Sequence, residues 1–293
     1  MTVHGVELSS PDKVLFPDDG ITKLDLAHYY DAVAEVMLPH LRGRPVNMQR
    51  FPDGIGQFSF YEKKVPSHFP AWVRTTEVGS EKGPQRQVVV QDAASLVYLA
   101  QQACITPHTW LSREVDLDRP DLLVFDLDPS DAGPDTLAKV RRATRLVGEA
   151  LEDLGLTTYV KTTGSRGYHV VVPLRRDLGF GEVRAFARRV GERLVEAEPG
   201  LLTLEHRKAK RGDRIFVDVL RNGYGQTAVP PYAVRPRPGA PVATPIEWSE
   251  LSRIAPDGHD IGSVRRRLAR RACPWGELPR RGQGLRRAAR RLG

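Results

Sequence analysis

The sequence predicts an α+β protein in which a βαββαβ unit of the ferredoxin type is combined with an N-terminal α/β module. Between about residues 121 and 220, short apolar runs alternate with two long segments of helical periodicity, in the order β-α-β-β-α-β. Ahead of them, shorter strand-like runs are interrupted by two further helical segments. At 293 residues, the chain is long enough to bury the core of one large or two small domains.

The N-terminal module is expected to span residues 1–115. Thr22 and Asp25 match a capping box, which predicts the start of a helix over LDLAHYYDAVAEVMLPHL. The runs PVNMQRF, QFSFYEK and QVVV indicate strands. Asp92 is expected to cap a second helix, DAASLVYLAQQA.

The second part, residues 116–235, contains the βαββαβ unit. Its elements are, in order, strand LLVFDLD, helix PDTLAKVRRATRLVGEALEDLG, strands TTYVKTT and YHVVVPL joined by the turn GSRG, helix GEVRAFARRVGERLVEA and strand IFVDVL. Pro134 and Gly155 mark the two ends of the first helix. A Pro-rich linker and short helix (236–262) should complete a catalytic domain over 1–262.

Three acids and one histidine are expected to meet on one face of this sheet. Asp126 and Asp128 are two residues apart in the first strand, so their side chains point the same way. In a ferredoxin-like sheet this strand is central, and its neighbours carry Asp218 and His169. Taken singly, each residue also has an ordinary explanation, such as a turn acid, a core histidine or an edge-strand acid. Together they indicate a divalent metal, because carboxylates this close repel unless a cation lies between them.

Three functions fit these residues. A haloacid-dehalogenase-type phosphatase would use Asp126 and Asp128, and 212-GDRIFVD-218 imitates its late acidic motif, although Gly212 precedes the strand instead of following it. An RRM-type RNA-binding module shares the βαββαβ order, although Val170 stands where a stacking aromatic belongs. A nucleotidyltransferase would use three carboxylates to hold two divalent cations.

The motifs DLDP, GSRGYH, FVDVLRN and PYAVRPRPGAPVATPIEW resemble the archaeo-eukaryotic primase superfamily. More closely, they are similar to the polymerase domain of bacterial ligase D and its stand-alone relatives, from about Val6 to Leu251. The resemblance implies the primase-polymerase fold and a template-dependent nucleotidyltransferase for DNA repair, by end joining or short-gap filling. Such an enzyme adds nucleotides, preferentially ribonucleotides, to primer 3′ ends. The implied cofactors are two divalent cations, Mn²⁺ or Mg²⁺, and no zinc.

The resemblance also implies roles for individual residues. The implied catalytic metal ligands are Asp126, Asp128 and Asp218. The implied nucleotide-binding residues are Ser165, Arg166, His169 and Arg211, with free backbone N–H groups in the turn GSRG. The implied DNA-binding residues are Lys13 and Lys23 at a 5′-phosphate, Phe60 and Tyr61 on the template, and Arg50. Since adjacent strand residues face opposite ways, one of the two aromatic side chains is expected to lie in the core.

The composition and motifs of the chain limit where the protein is expected to act and which partners it is expected to have. The chain has no apolar run long enough to cross a membrane. Cys104 and Cys273 form neither a zinc-ligand pattern nor a disulfide framework. We therefore expect a cytoplasmic, nucleoid-associated protein. Its expected partners are DNA that is gapped or carries a 5′-phosphate, NTP or dNTP, a separate DNA ligase (the ligase motif KxDG is absent) and an end-binding protein.

Positive charge is concentrated in a basic tail, residues 263–293. This segment holds eleven arginines and one acid, Glu277, for a net charge of +10, so the rest of the chain carries −2 (+8 less +10). We expect the tail to be a phosphate-binding arm that stays disordered until it binds DNA. An Arg-rich composition without a binding role is the competing explanation.

Overall fold

A computed structural model describes residues 1–80, 83–130 and 133–292. The parts of the predicted modules that fall on residues 81–82, 131–132 and 293 therefore lie outside the described residues. The chain divides into two compact units. Unit 1 comprises Met1–Leu117, Thr227–Thr244 and His259–Cys273, and unit 2 comprises Asp118–Gln226, Pro245–Gly258 and the residues from Pro274 onward.

Strands and helices follow one another in both units. The strands are β1 (Thr2–Val3), β2 (Val6–Glu7), β3 (Val14–Phe16), β4 (Ile21–Thr22), β5 (Pro45–Arg50), β6 (Phe60–Glu62), β7 (Thr75–Val78), β8 (Gln85–Val89), β9 (Cys104–Trp110), β10 (Leu122–Pro129), β11 (Tyr159–Thr162), β12 (Tyr168–Pro173), β13 (Leu202–Thr203), β14 (Ile215–Asp218), β15 (Thr227–Ala228) and β16 (Pro245–Ile246). The helices are α1 (Lys23–Leu41), α2 (Ala93–Gln101), α3 (Thr136–Asp153), α4 (Phe180–Ala197), α5 (Ile261–Leu268) and α6 (Arg286–Arg291). No helix in the described ranges has the length and apolar character needed to cross a lipid bilayer.

Unit 1 is built on an antiparallel sheet with the strand order β15-β9-β5-β8-β7, and β6 pairs with the end of β5 that β8 leaves free. Helices α1 and α2 pack their apolar residues into its core. The predicted capping box at α1 is confirmed, because Thr22 Oγ1 accepts a hydrogen bond from Asp25 N at 3.2 Å and Asp25 Oδ2 accepts one from Thr22 N at 2.8 Å. The Asp92 cap of α2 is also confirmed, with Oδ1 accepting from Ser95 N at 2.8 Å.

Unit 2 contains the predicted ferredoxin-like sheet. Its strand order is β13-β14-β10-β12-β11-β16, so the first predicted strand, β10, lies between the third, β12, and the fourth, β14. The three pairings among the predicted strands are antiparallel. Two short strands extend this sheet, with β13 parallel to β14 and β16 antiparallel to β11. The α+β class and the order of the central strands are therefore confirmed.

The two faces of the unit 2 sheet differ in chemistry. Leu123, Phe125 and Leu127 of β10 point to one side and pack with apolar residues of α3 and α4 in the core of the unit. Because side chains alternate along a strand, the acids Asp126 and Asp128 point to the other side. We call this side the carboxylate face.

The basic tail was expected to lack structure, and for residues 263–292 this expectation is wrong. Residues 263–273 belong to unit 1, where Val264 of α5 is buried. Residues 274–292 belong to unit 2, where Trp275 Nε1 donates a hydrogen bond to Val160 O at 3.1 Å. The apolar residues between the arginines are buried in the core of unit 2: Leu285, Ala288 and Leu292. These contacts give the segment a fixed conformation.

We predict that Leu285→Ala destabilises the protein, because Leu285 is only 1% exposed and its truncation leaves a cavity in the core of unit 2. The expected loss in the free energy of unfolding is about 2–5 kcal/mol. Arg287→Ala, a truncation in the same segment at an exposed position, should change it by less than about 0.5 kcal/mol. Urea denaturation followed by circular dichroism measures both. Equal stability of Leu285→Ala and the wild type would show that the segment is not held by its apolar residues.

Candidate active site

Asp126 lies at the centre of the carboxylate face. Its position in β10 is directly opposite His169 of β12 on one side and Asp218 of β14 on the other. Asp126 Oδ1 is 3.4 Å from His169 Nε2. Arg221, which follows β14, places its Nε 3.5 Å from Asp126 Oδ2 and 3.3 Å from Asp218 Oδ2. One guanidinium group therefore bridges two of the three predicted carboxylates.

Asp128, the third carboxylate, is compensated by two other arginines. Arg166 Nη2 lies 3.5 Å from its Oδ1, and Arg211 Nη1 lies 3.4 Å from its Oδ2. These contacts are longer than the 2.7–2.9 Å that is typical of charge-assisted hydrogen bonds. The structure therefore brings together the predicted metal ligands with His169, Arg166 and Arg211, and it surrounds the carboxylates with cations that contact them loosely.

Arg211 is held by its own loop. Its Nε donates to Glu205 O and its Nη2 donates to His206 O, both at 2.8 Å. The guanidinium carbon lies 3.9 Å from the centroid of the Phe216 ring, within the range of a cation–π contact. These bonds leave Nη1 directed at Asp128, so the side chain is fixed in orientation beside the carboxylate face.

The environment divides the carboxyl groups into two kinds. Burial raises the pKa of Asp128 and of Asp218, and the negative charge of Asp126 raises both further. Burial also acts to raise the pKa of Asp126, but His169, Arg221 and Lys161 outweigh it and hold this pKa well below the usual range. Asp126 is therefore the carboxylate most firmly kept ionised, while the other two are ionised at a cost.

His169 is a neutral imidazole at pH 7. Burial and the positive charge of Lys161 lower its pKa to about 4, against the opposing effect of Asp126. Because Nε2 faces the ionised Asp126, we assign the ring proton to Nε2, and Nδ1 then remains as a buried acceptor without a hydrogen-bond partner in the described part of the chain.

Two cations of this face escaped the sequence analysis. Lys161 of β11 is opposite His169 in the sheet and only 2% exposed, so Lys161, His169, Asp126 and Asp218 form a row across four strands. Arg221 bridges the last two members of the row. Asp218 was singled out as the one charged residue of its strand, and Lys161 is likewise the one charged residue of TTYVKTT.

The turn GSRG is pressed against the strand that carries the carboxylates. A Cβ atom on Gly167 would lie 1.9 Å from Leu127 O, so no residue with a side chain fits there without displacing the turn. The expected free N–H groups are not found at most positions: Gly164 N donates to Pro256 O, and Ser165 N and Gly167 N both donate to Thr163 Oγ1. That expectation is wrong because the turn uses its N–H groups to hold its own shape.

The donor set suits hard divalent cations, which prefer carboxylate oxygen ligands. Asp126 and Asp218 are direct cross-strand partners, and Asp128 follows two residues later on the same face. With the arginines in place, no three His, Cys, Asp or Glu side chains in the described ranges are grouped as ligands of a single ion. The carboxylates therefore have the chemistry of a metal site, and arginines balance their charge in this structure.

The predicted DNA-binding lysines lie in unit 1 and close to each other. Lys23 N donates to Lys13 O at 2.9 Å. Lys23 is only 6% exposed, its Nζ donates to Ser9 O at 2.7 Å, and burial together with the charge of Lys13 lowers its pKa. The Lys13 Nζ forms an ion pair with Asp53 at 2.7 Å. Two ammonium groups near one another are an arrangement that favours an anion.

The predicted aromatic contacts are also in unit 1, on the short strand β6. Tyr61 is 57% exposed and Phe60 is partly exposed, so the expectation that one of them lies in the core is wrong. As β6 covers only the end of β5, neither of its faces is buried deeply. Phe58, which the sequence analysis missed, is 75% exposed and stacks on Phe60 with ring centroids 5.8 Å apart.

Arg50, the remaining predicted DNA contact, is occupied within the protein. Its Nη1 lies 2.5 Å from Glu62 Oε2, and its Nε donates to Gln102 O at 2.8 Å. The guanidinium carbon is 5.5 Å from the centroid of the Phe60 ring. These contacts fix the aromatic strand relative to β5.

The alternative functions find no support at this site. Asp213, the late acid of a phosphatase motif, is exposed and forms an ion pair with Lys139, away from the three carboxylates. Val170 is fully buried in the core on the helix side of the sheet. Val170 is therefore not on the face where an RRM would stack bases, and that face carries Asp126, Asp128 and Asp218, whose negative charges would repel phosphates.

We predict that Asp218→Asn raises the free energy of unfolding at pH 7 when metal ions are chelated. Because the folded-state pKa of Asp218 is raised, its ionised form costs stability above that pKa, and the cost vanishes at low pH. The gain should therefore shrink as the pH falls through the carboxyl range. Urea denaturation between pH 3 and 8 measures it, with Asp153→Asn on the exposed end of α3 as control. A variant less stable than the wild type at pH 7 would contradict the assigned repulsion.

The chain is similar in sequence to bacterial end-joining proteins. It is 36% identical over 273 residues to the multifunctional non-homologous end joining DNA repair protein LigD of Mycobacterium tuberculosis, covering 90% of this chain and 36% of that protein. It is 33% identical over 290 residues to the corresponding LigD of Pseudomonas aeruginosa, covering 98% of this chain and 34% of that protein. The chain thus spans about a third of the length of these curated relatives.

A solved structure and a family model agree with these similarities. The polymerase domain from Mycobacterium tuberculosis ligase D in complex with DNA matches with a TM-score of 0.88 and 34% identity, over 95% of this chain and 99% of that one. The family model described as LigD, primase-polymerase domain, matches residues 22–275. The fold and the resemblance of the motifs are thereby confirmed, and the chain belongs to the LigD primase-polymerase domain family of template-dependent nucleotidyltransferases.

Proposed function

We propose that this chain adds nucleotides, preferentially ribonucleotides, to primer 3′ ends at short gaps and breaks in DNA, with two divalent cations (Mn²⁺ or Mg²⁺) bound by Asp126, Asp128 and Asp218. The observation that carries the proposal is the position of Asp126, opposite both His169 and Asp218 on the carboxylate face. When bound, the cations supply charge neutralisation at the transferring phosphoryl group and lower the pKa of the attacking hydroxyl.

The residues around the carboxylates are suited to a triphosphate. Arg166 and Arg211 offer planar guanidinium groups, which match phosphate oxygens, and Arg211 is already oriented by its bonds to Glu205 and His206. The neutral His169 carries one N–H, at Nε2, which faces Asp126 in this structure and would become available to a phosphate oxygen if a cation took over the charge of Asp126. Ser165, at the tip of a turn that Gly167 seats against β10, supplies a hydroxyl beside them. These four residues form the proposed nucleotide site.

The proposed DNA-binding residues all lie in unit 1. Lys13 and Lys23 are the proposed ligands of the 5′-phosphate that borders a gap, supported by their proximity and by the effect of one charge on the other. Phe60 and Tyr61 are the proposed stacking residues for template bases, supported by their exposure, and Phe58 is added to them. Arg50 acts in this proposal by holding the aromatic strand.

The names of the relatives indicate a biological context. Both are non-homologous end joining proteins, the one from Mycobacterium tuberculosis is also named a DNA repair protein, and the solved relative is in complex with DNA. We propose the same context for this chain, on chromosomal DNA in the cytoplasm. A separate DNA ligase and an end-binding protein are the proposed partners, because a filled gap must still be sealed and broken ends must be held together.

We predict that Asp128→Asn abolishes nucleotide addition while leaving the fold intact. The substitution removes one proposed ligand without changing side-chain volume, and loss of even an outer-shell partner of a metal ligand costs about 10–100-fold. A loss of at least about 100-fold is therefore expected. The assay is extension of a gapped duplex with either sugar type in Mn²⁺ or Mg²⁺, with Asp153→Asn as matched control. Wild-type-like extension by Asp128→Asn would remove this residue from the proposed site.

We predict that Lys13→Ala weakens binding to gaps that carry a 5′-phosphate. Hydrogen bonds to charged groups contribute about 1.5–3 kcal/mol, and the low end applies because the Lys13 side chain is 37% exposed. The expected loss is therefore about tenfold in Kd. The measurement compares duplexes with and without the 5′-phosphate, and Lys63→Ala is the matched control because Lys63 is also exposed in unit 1. An equal loss on both duplexes would assign Lys13 a role other than phosphate recognition.

A further inference from the structure

Unit 2 displays a row of unpaired arginines on α6. Arg286, Arg287, Arg290 and Arg291 are all exposed, and we call them the arginine ridge. Among the residues that the structure describes, Arg287, Arg290 and Arg291 have no carboxylate partner, and Arg286 contacts only the backbone oxygen of Asp177, at 3.4 Å. The family match ends at residue 275, so the ridge lies beyond the part that the family model describes.

The ridge is held in place by the other side of the same helix. Leu285, Ala288 and Leu292 are spaced so that they share one face of a helical turn, and all three are buried in the core of unit 2. Ahead of α6, Gln283 fastens the segment to Thr157, two residues before β11. Its side chain accepts from Thr157 N at 2.7 Å and donates to Thr157 O at 2.9 Å. The four guanidinium groups are therefore displayed from a fixed backbone.

The ridge lies on a different side of unit 2 from the proposed active site. The apolar face of α6 packs into the same core as α3 and α4, which cover the helix side of the sheet. Asp126, Asp128 and Asp218 project from the opposite side of that sheet. The ridge therefore has no role in the reaction itself, and any polyanion that binds it is bound at a second place.

We propose that the arginine ridge binds the phosphate backbone of double-stranded DNA, away from the reacting end and without reading its sequence. This inference rests on the proposed function, because it takes DNA as the substrate. Four cations without an acid among them complement a surface of uniform negative charge, and duplex DNA has one such charge per about 1.7 Å of helix axis.

A protein partner fits this surface less well than DNA. The central parts of protein–protein interfaces are poor in charged residues and rich in aromatic ones. None of the large apolar side chains exposed in the described part of the chain lies between residues 274 and 292. The ridge thus has the charge of a phosphate-binding surface and lacks the apolar centre of a protein-binding one.

The test is the salt dependence of binding to a gapped duplex, measured by fluorescence anisotropy at several KCl concentrations. The variant Arg287→Gln/Arg290→Gln loses two proposed phosphate contacts. Each contact contributes about 0.9 to the slope of log K against log[salt], so the slope should become shallower by about 1.8. Glutamine keeps the helical propensity of the segment, and circular dichroism checks the fold. Arg286→Gln/Arg291→Gln provides a second, independent pair.

The matched control is Arg142→Gln/Arg188→Gln. It removes the same charge from the same unit, but these arginines are paired, Arg142 with Glu198 at 2.6 Å and Arg188 with Glu192 at 2.8 Å. Its slope should stay within the error of the wild type. Suppose that the wild type binds and extends the duplex, and that the ridge variants and the control all have its slope. This result would overturn the proposed DNA contact of the arginine ridge and leave the proposed function intact. A wild type that extends no gapped duplex under any metal condition would overturn the proposed function itself.

Discussion

The repulsion among Asp126, Asp128 and Asp218 is the constraint on which the rest of unit 2 depends. Two of them face each other across neighbouring strands and the third follows on the same face. Burial raises the pKa of Asp128 and of Asp218, and the negative charge of Asp126 raises both further. The fold offsets this cost with cations from several elements: Arg166 from a turn, Arg211 from a loop, and Arg221 from the residues after β14.

The sheet of unit 2 accommodates the three carboxylates because its two faces differ, one being apolar and the other charged. The helix side of β10 contributes Leu123, Phe125 and Leu127 to an apolar core, so the apolar contacts that stabilise unit 2 lie on the side away from the carboxylates. The close seat of Gly167 on Leu127 O then fixes the turn that carries Ser165 and Arg166 beside the acids. The packing of β10 on its apolar side therefore fixes the positions of Ser165 and Arg166 on the carboxylate face.

The sequence allowed prediction of what depends on local pattern. The order of the central strands, the Thr22 and Asp92 caps, and the meeting of Asp126 with His169 and Asp218 followed from periodicity and the rules for this sheet. Strands β7 and β9 were missed, since their mixed polar residues show no clean alternation. Strand β9 pairs with the distant strand β5, although β7 pairs with its neighbour β8. The disorder expected for the tail was wrong because the expectation rested on its charge and neglected its few apolar residues. Burial of Leu285 and Leu292 in the core of unit 2 holds the short helix in place. Net charge predicts attraction to a polyanion and says nothing about order.

Charge balance links the two kinds of ligand that this site is suited to hold. Arg166 and Arg211 contact Asp128 at 3.5 and 3.4 Å, distances at which an ion pair contributes attraction but little directional bonding. A divalent cation on the carboxylates would replace that attraction and release two guanidinium groups. Both guanidinium groups would then lie beside a bound cation with their attraction to Asp128 weakened, which is a positive environment that favours a triphosphate. A carboxylate cluster balanced by arginines would therefore make the binding of cation and of anion mutually reinforcing.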